Sequence, residues 1–103
     1  MKAIFGVSLI ISTGLIAPAL AQGDVSAENF AQVCIAQTNL PGSACTCLGE
    51  TAVKQLAPAV QPYTLALIAG ELAVADTLAS ALSLEDKAAA GFFLASTPGL
   101  CAG

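Results

Sequence analysis

The chain has 103 residues, with seven acidic residues against three lysines, no histidine and a formal net charge of −4. This charge balance excludes a nucleic-acid-binding protein, since contacts to a phosphate backbone need clustered cations. The lack of histidine also disfavours conventional acid–base catalysis, because no histidine is then available to exchange protons near neutral pH. We therefore expect a binding or structural protein rather than an enzyme, and we expect no cofactor.

Residues 1–21 have the pattern of a secretory signal peptide. Lys2 supplies a positive charge, an apolar segment follows it, and Ala19-Leu20-Ala21 matches a small-x-small cleavage site. The apolar segment is shorter than the roughly 20 residues that a membrane span needs, which disfavours an uncleaved anchor. The sequence predicts cleavage near Ala21 and export to the periplasm or the extracellular space. A single mature domain at residues 22–103 is then expected, with no stable membrane span.

Four helices are predicted along this mature segment, and the sequence therefore indicates an all-α fold, a small bundle of about four short helices. Their expected ranges are residues 27–37, 44–56, 62–82 and 84–96. Asp24 or Ser26 is expected to cap the first helix, Ser43 the second and Ser83 the last, because their side chains can accept hydrogen bonds from first-turn N–H groups. Pro98 is expected to end the last helix, since proline has no N–H to donate.

All four cysteines, Cys34, Cys45, Cys47 and Cys101, fall in the mature segment. An even number of cysteines in a short exported chain predicts two disulfides. A bond between Cys45 and Cys47 would close a strained ring within one helix and is set aside. Two pairings then remain, Cys34 with Cys45 and Cys47 with Cys101, or Cys34 with Cys47 and Cys45 with Cys101.

The direction of the side chains favours the first pairing. Cys34 and Cys45 each lie on the apolar side of their helix, whereas Cys47 points about 200° away from Cys45. Cys47 can then bond to Cys101, in the C-terminal segment that follows the last predicted helix. A count of residues outward from the turn between the two helices instead places Cys34 at the level of Cys47, which favours that pairing. We prefer the first pairing, because the Cβ atoms of a disulfide must point toward one another.

The predicted third helix, at residues 62–82, is apolar on two opposite sides. Such a helix is usually buried on all sides by its neighbours. The functional alternative is that one side stays available to a protein partner, a second copy of the chain or a small apolar ligand. In the last helix, Phe92 shares a side with Leu84, whereas Phe93 points elsewhere. The candidate binding surface therefore consists of Leu65, Ile68, Leu72 and Phe93.

Three functional interpretations follow from these features. The first is a secreted or periplasmic module that binds an apolar ligand or a protein partner. The second is a structural or homo-oligomeric secreted domain without a ligand. The third is a thiol–disulfide redox protein that uses Cys45-Thr46-Cys47, because a thiol near a helix N-terminus is activated. This third interpretation is disfavoured, because the predicted helices do not provide the βαβ unit that surrounds a thioredoxin-like redox motif. Metal binding is not expected, since the two cysteines diverge from one helix and no histidine is present.

The disulfides are predicted to decide whether so small a domain stays folded. Closing a loop of about a dozen residues stabilises by roughly 3 kcal/mol and a loop of about fifty by roughly 4 kcal/mol. A domain's total stability is about 5 to 15 kcal/mol. We expect complete reduction to unfold the mature protein. The measurement is a thermal melt followed by circular dichroism with and without dithiothreitol, and identical melts would contradict the expectation.

Overall fold

The computed structural model describes residues 25–103, so the predicted signal peptide and its cleavage site lie outside the described residues. Over this range the predicted all-α fold is confirmed, and regular structure consists of helices alone. There are five of them: α1 (Ala27–Gln37), α2 (Gly42–Gln55), α3 (Val60–Ala69), α4 (Leu72–Ala79) and α5 (Leu84–Ala102). The additional helix arises because the predicted third helix is divided into α3 and α4.

Two of the predicted helix caps are present. The Asn29 N–H donates to Ser26 Oγ at the start of α1 (3.2 Å), and the Asp86 N–H donates to Ser83 Oγ at the start of α5 (3.0 Å). The predicted cap at Ser43 is wrong. Pro41 holds that position instead, because its carbonyl already accepts the Cys45 N–H (3.0 Å), so that Ser43 falls inside the first turn.

The hydrophobic core is built from four of the five helices. Helix α2 packs against α1 and α5, and α3 packs against α1 and α5. The buried core cluster consists of Phe30, Leu48, Ala52, Leu56, Val60, Leu65, Ala90 and Phe93. Helix α4 contributes no residue to this cluster, and its main contacts are with α3. It therefore lies beside the core and is held mainly by one neighbour.

Gly70 divides the predicted third helix. Its φ of 75° places it in the left-handed region, which glycine adopts without the penalty that a Cβ brings. The Glu71 N–H donates to Ala66 O (3.0 Å) and the Gly70 N–H to Leu67 O (3.2 Å), the two hydrogen bonds of a Schellman motif. The chain thus ends α3 at Ala69 and begins α4 at Leu72, so the two apolar sides expected on one long helix are shared between two short ones.

The predicted end of the last helix at Pro98 is also wrong, since α5 continues to Ala102. Pro98 lacks the N–H that would bond the Leu94 carbonyl, but the helical bonding resumes beyond it, where the Gly103 N–H donates to Gly99 O (3.0 Å). The bond between Cys101 and Cys47 ties this last turn to α2. The attachment to α2 keeps the turn beside the bundle despite the cost of an internal proline.

Helices α1 and α2 approach each other closely at Gly49, which is buried. A Cβ added there would meet the carbonyl oxygen of Ala27 well inside van der Waals distance and would lie 3.3 Å from Phe30 Cβ. Because a backbone carbonyl cannot move aside as a flexible side chain can, the two helices can keep this spacing only with glycine at the contact.

We predict that Gly49→Ala destabilises the domain by about 1 to 3 kcal/mol, the usual cost of overpacking a core. Gly91→Ala is the matched control, because a Cβ on this exposed helical glycine meets no atom within 4 Å. It should stabilise by about 0.5 to 1 kcal/mol, the difference between glycine and alanine within a helix. Urea unfolding followed by circular dichroism measures both, and equal effects would contradict the close approach at Gly49.

Candidate functional site

The four residues of the candidate binding surface do not form one free surface. Leu65 is 1% exposed and Phe93 3% exposed, and both belong to the core cluster. Ile68 is half-buried against that cluster, and Leu72 alone is well exposed, at 67%. The division of the chain at Gly70 is one reason, because it places Leu72 on a different helix from Leu65 and Ile68.

The two adjacent phenylalanines have the opposite orientation to the one expected. Phe93 is buried, whereas Phe92 is 75% exposed. Helix α5 turns Ala90, Phe93 and Thr97 toward its neighbours, at a spacing of three and four residues that forms one side of a helix. Phe92 consequently faces solvent together with Leu84, with which it shares a side of the helix.

A shallow cleft of about 490 Å³, largely open to solvent, lies between α3 and α4. This volume is within the range of small-molecule sites, roughly 300 to 1,000 Å³. Its wall on α4 is made largely of alanine, which leaves room between the two helices. The lining residues are Tyr63 and Leu67 from α3, and Leu72, Ala73, Ala75, Asp76 and Ala79 from α4.

Two polar side chains line this otherwise apolar cleft. Tyr63 is half-buried and packs against the core cluster, so its ring is held while its hydroxyl can donate or accept a hydrogen bond. Asp76 is exposed and supplies a carboxylate, which accepts hydrogen bonds and attracts positive charge. The arrangement suits a mainly apolar molecule that carries a hydrogen-bond donor or a positive charge at one end.

The sequence alone does not identify this cleft as a site. Of its seven lining residues, only Leu72 belonged to the candidate surface. On one continuous helix, Asp76 would simply interrupt an apolar stripe. Once the chain turns at Gly70, α4 packs on α3 and the carboxylate comes to line a cleft between them. The signal in the sequence was the glycine within the apolar segment, since glycine commonly follows the last residue of a helix.

The structure joins Cys34 to Cys45 (Cα–Cα 5.5 Å) and Cys47 to Cys101 (Cα–Cα 5.7 Å), the pairing that the side-chain directions favoured. All four cysteines are therefore bonded. Cys45 is bonded to α1 and Cys47 to α5, so each of the two cysteines joins α2 to a different helix. The Cys34–Cys45 bond lies in the interior, whereas Cys47 and Cys101 are both half-buried.

A second groove, of about 370 Å³, runs beside the Cys47–Cys101 bond between α2 and α5. Its lining contains both cysteines and no charged residue. The exposed side chains of Phe92 and Leu100 form part of its wall on α5. The remaining lining residues are Thr51, Gln55, Ser96 and Thr97.

Comparisons of the chain with models of known protein families, with curated proteins and with solved structures found no match. Within residues 25–103, no helix is long and apolar enough to span a membrane. The two disulfides are compatible with an oxidising compartment.

Proposed function

We propose that the chain is an exported binding module that takes a small, mainly apolar ligand between α3 and α4. The observation that carries the proposal is the cleft of about 490 Å³, with apolar walls and the Tyr63 hydroxyl and Asp76 carboxylate among its lining groups. Sites for small molecules commonly combine a mostly apolar lining with a few polar groups that fix the ligand's orientation. A ligand with a positively charged or hydrogen-bond-donating end fits this lining.

The position of α4 supports the same function. Ala75 is its only buried residue, and its main contacts are with α3, so α4 can shift relative to α3 without opening the core cluster. Regions with few buried contacts are where proteins adjust locally at low cost in free energy. An adjustable wall would let the cleft accommodate apolar ligands of somewhat different shape.

Export is part of the proposal. The two disulfides support it, because such bonds form and persist in oxidising compartments outside the cytosol. The pattern of residues 1–21 supports it independently. A membrane-anchored location in the mature protein is not proposed.

We predict that Leu72→Ser weakens binding of the neutral apolar dye 1-N-phenylnaphthylamine about three- to tenfold. The serine removes apolar area from the cleft wall, and loss of such area lowers affinity. Leu84→Ser is the matched control, because Leu84 is also exposed (81%, against 67% for Leu72) but does not line the cleft. Fluorescence titration of the oxidised protein measures both. Equal loss in the two variants, or no binding by the unmodified protein, would contradict the proposed site.

Displacement of the dye by two competing ligands distinguishes the role of the Asp76 carboxylate from that of the apolar walls. Decylamine carries a positive charge, whereas decanol has the same chain and none. Asp76→Asn should weaken displacement by decylamine severalfold and leave displacement by decanol unchanged, since the amide keeps the side chain's shape but not its charge. Weaker displacement by both decylamine and decanol would contradict a specific role for the Asp76 charge, because it would indicate a general disturbance of the cleft.

Self-association is a second candidate function, and a separate feature of α5 favours it. Beyond Lys87 this helix carries no charged residue, yet Phe92 is 75% and Leu100 79% exposed. Two copies of an acidic chain can approach at such a face without bringing like charges together. Helix α5 has 19 residues and is about 28 Å long, so its face is smaller than the roughly 800 Å² per partner of a standard interface. We therefore propose a weak dimer that forms at high protein concentration.

We predict that Phe92→Glu removes this self-association, because it places a charge in the middle of the uncharged face. Ile35→Glu, on the half-exposed surface of α1, is the matched control and should leave association unchanged. Light scattering on a concentration series measures the average mass. A monomer at every concentration, or equal loss of the dimer in both variants, would contradict the α5 interface.

A further inference from the structure

The two disulfides differ in burial. Cys34 and Cys45 are both 0% exposed, so a reagent can reach their sulfurs only when the fold opens. Cys47 and Cys101 are half-buried, and both line the groove between α2 and α5. Exposed disulfides are more readily reduced than enclosed ones and are the class that takes part in exchange. The same reagent should therefore distinguish between the two bonds.

The groove beside Cys47 and Cys101 provides an approach to the bond. It has a volume of about 370 Å³, and none of its lining residues is charged. Phe92 and Leu100 offer apolar contact within van der Waals reach of a molecule seated there. Because no carboxylate lines the groove, an attacking thiolate is not opposed by a negative charge in its walls. A neutral, partly apolar thiol is the reagent that this lining fits.

The last turn of α5 is held mainly through Cys101, which is bonded to Cys47 and packs partly against the core cluster. Pro98 interrupts the helical hydrogen bonding by leaving Leu94 O without its usual donor. Beyond Pro98, every residue other than Cys101 is exposed. The body of α5 is anchored separately, by Ala90 and Phe93 in the core cluster. Breaking the bond would thus release the end of the helix while leaving the rest attached.

We infer that the Cys47–Cys101 disulfide is a site of thiol–disulfide exchange with an external thiol, and that exchange there frees the turn at residues 98–103. The Cys34–Cys45 disulfide stays intact and keeps α1 joined to α2. The inference is independent of ligand binding between α3 and α4, because the two clefts have no lining residue in common.

The exchange is a two-electron reduction by a dithiol. A thiolate of the dithiol attacks the Sγ of one cysteine, the bond between Cys47 and Cys101 breaks, and the other Sγ leaves as a thiolate that takes up a proton. A mixed disulfide now joins the dithiol to the protein. The second thiol of the dithiol, as its thiolate, attacks the dithiol sulfur of this mixed disulfide, which releases the second protein thiolate, and this thiolate also takes up a proton. The products are two protein thiols and a cyclic disulfide.

The test is a time course of the folded mature protein in dithiothreitol, at neutral pH without denaturant. New thiols are alkylated with iodoacetamide and located by peptide mass spectrometry. We expect Cys47 and Cys101 to be alkylated at least about a hundredfold faster than Cys34 and Cys45, because reduction of the buried bond has to wait for an opening of the fold. Simultaneous alkylation of all four cysteines, or faster alkylation of Cys34 and Cys45, would overturn the inference.

Gln55→Trp tests whether the groove is the route of approach. Gln55 is exposed and lines the groove, so an indole there should shield the bond and slow alkylation of Cys47 and Cys101 severalfold. Gln37→Trp, an exposed position at the end of α1, is the matched control and should leave the rate unchanged. Equal rates in the two variants would overturn the role of the groove.

Hydrogen exchange tests the release of the last turn. In the singly reduced, alkylated protein we expect loss of protection in peptides covering residues 98–103, with protection kept in α1 and α2. A Cys47→Ser, Cys101→Ser double variant should show the same pattern without any reductant. Unfolding of that variant, or unchanged protection at its C-terminal end, would overturn a local release.

Discussion

Two disulfides that leave one helix in different directions are the constraint on which this structure depends. Cys45 and Cys47 are separated by one residue, and a helix turns such side chains about 200° apart. Cys45 therefore binds α1, and Cys47 binds the end of α5. Helix α2 becomes the element to which both ends of the described chain are attached. Helix α3, which follows α2 in the chain and carries no cysteine, is held by apolar packing against α1 and α5 instead.

The close approach at Gly49 complements the buried bond. The disulfide between Cys34 and Cys45 holds α1 and α2 together near one end of α2, and the missing side chain at Gly49 lets the backbone of α2 pass the carbonyl of Ala27. A covalent bond limits the separation of two helices, whereas a glycine contact limits how closely they can pack. Together these two features fix the spacing between the helices, and hence the room available for Phe30 in the core.

Periodicity predicted the parts of this fold that local geometry controls. The range of α1 and the inward direction of Cys34 and Cys45 follow from side-chain spacing within one helix. The cap at Ser83, and the cap of α1 at one of two candidates, follow from side chains that accept first-turn hydrogen bonds.

The errors at Gly70, Pro98 and Phe93 have a different origin. Gly70 can lie inside a helix or end one, and the choice depends on whether α4 gains contacts by packing on α3. Pro98 normally ends a helix, but here the turn beyond it is bonded to α2. The direction of Phe93 depends on which side of α5 meets the core, and that is a tertiary property. The α3–α4 cleft could not be predicted for the same reason, because it exists only once the chain turns at Gly70.

The distribution of attachments separates the rigid part of the domain from the parts that can respond to another molecule. The core cluster and the buried disulfide join α1, α2, α3 and the middle of α5. Helix α4 is attached mainly to α3, and the last turn of α5 is joined to α2 by the half-buried Cys47–Cys101 bond. A small domain has little stability to lose, so movements that leave its core closed are the ones it can make at low cost. Both candidate sites lie at these weakly attached elements. The ligand binding proposed between α3 and α4 and the thiol exchange proposed at Cys47–Cys101 would therefore each leave the core closed.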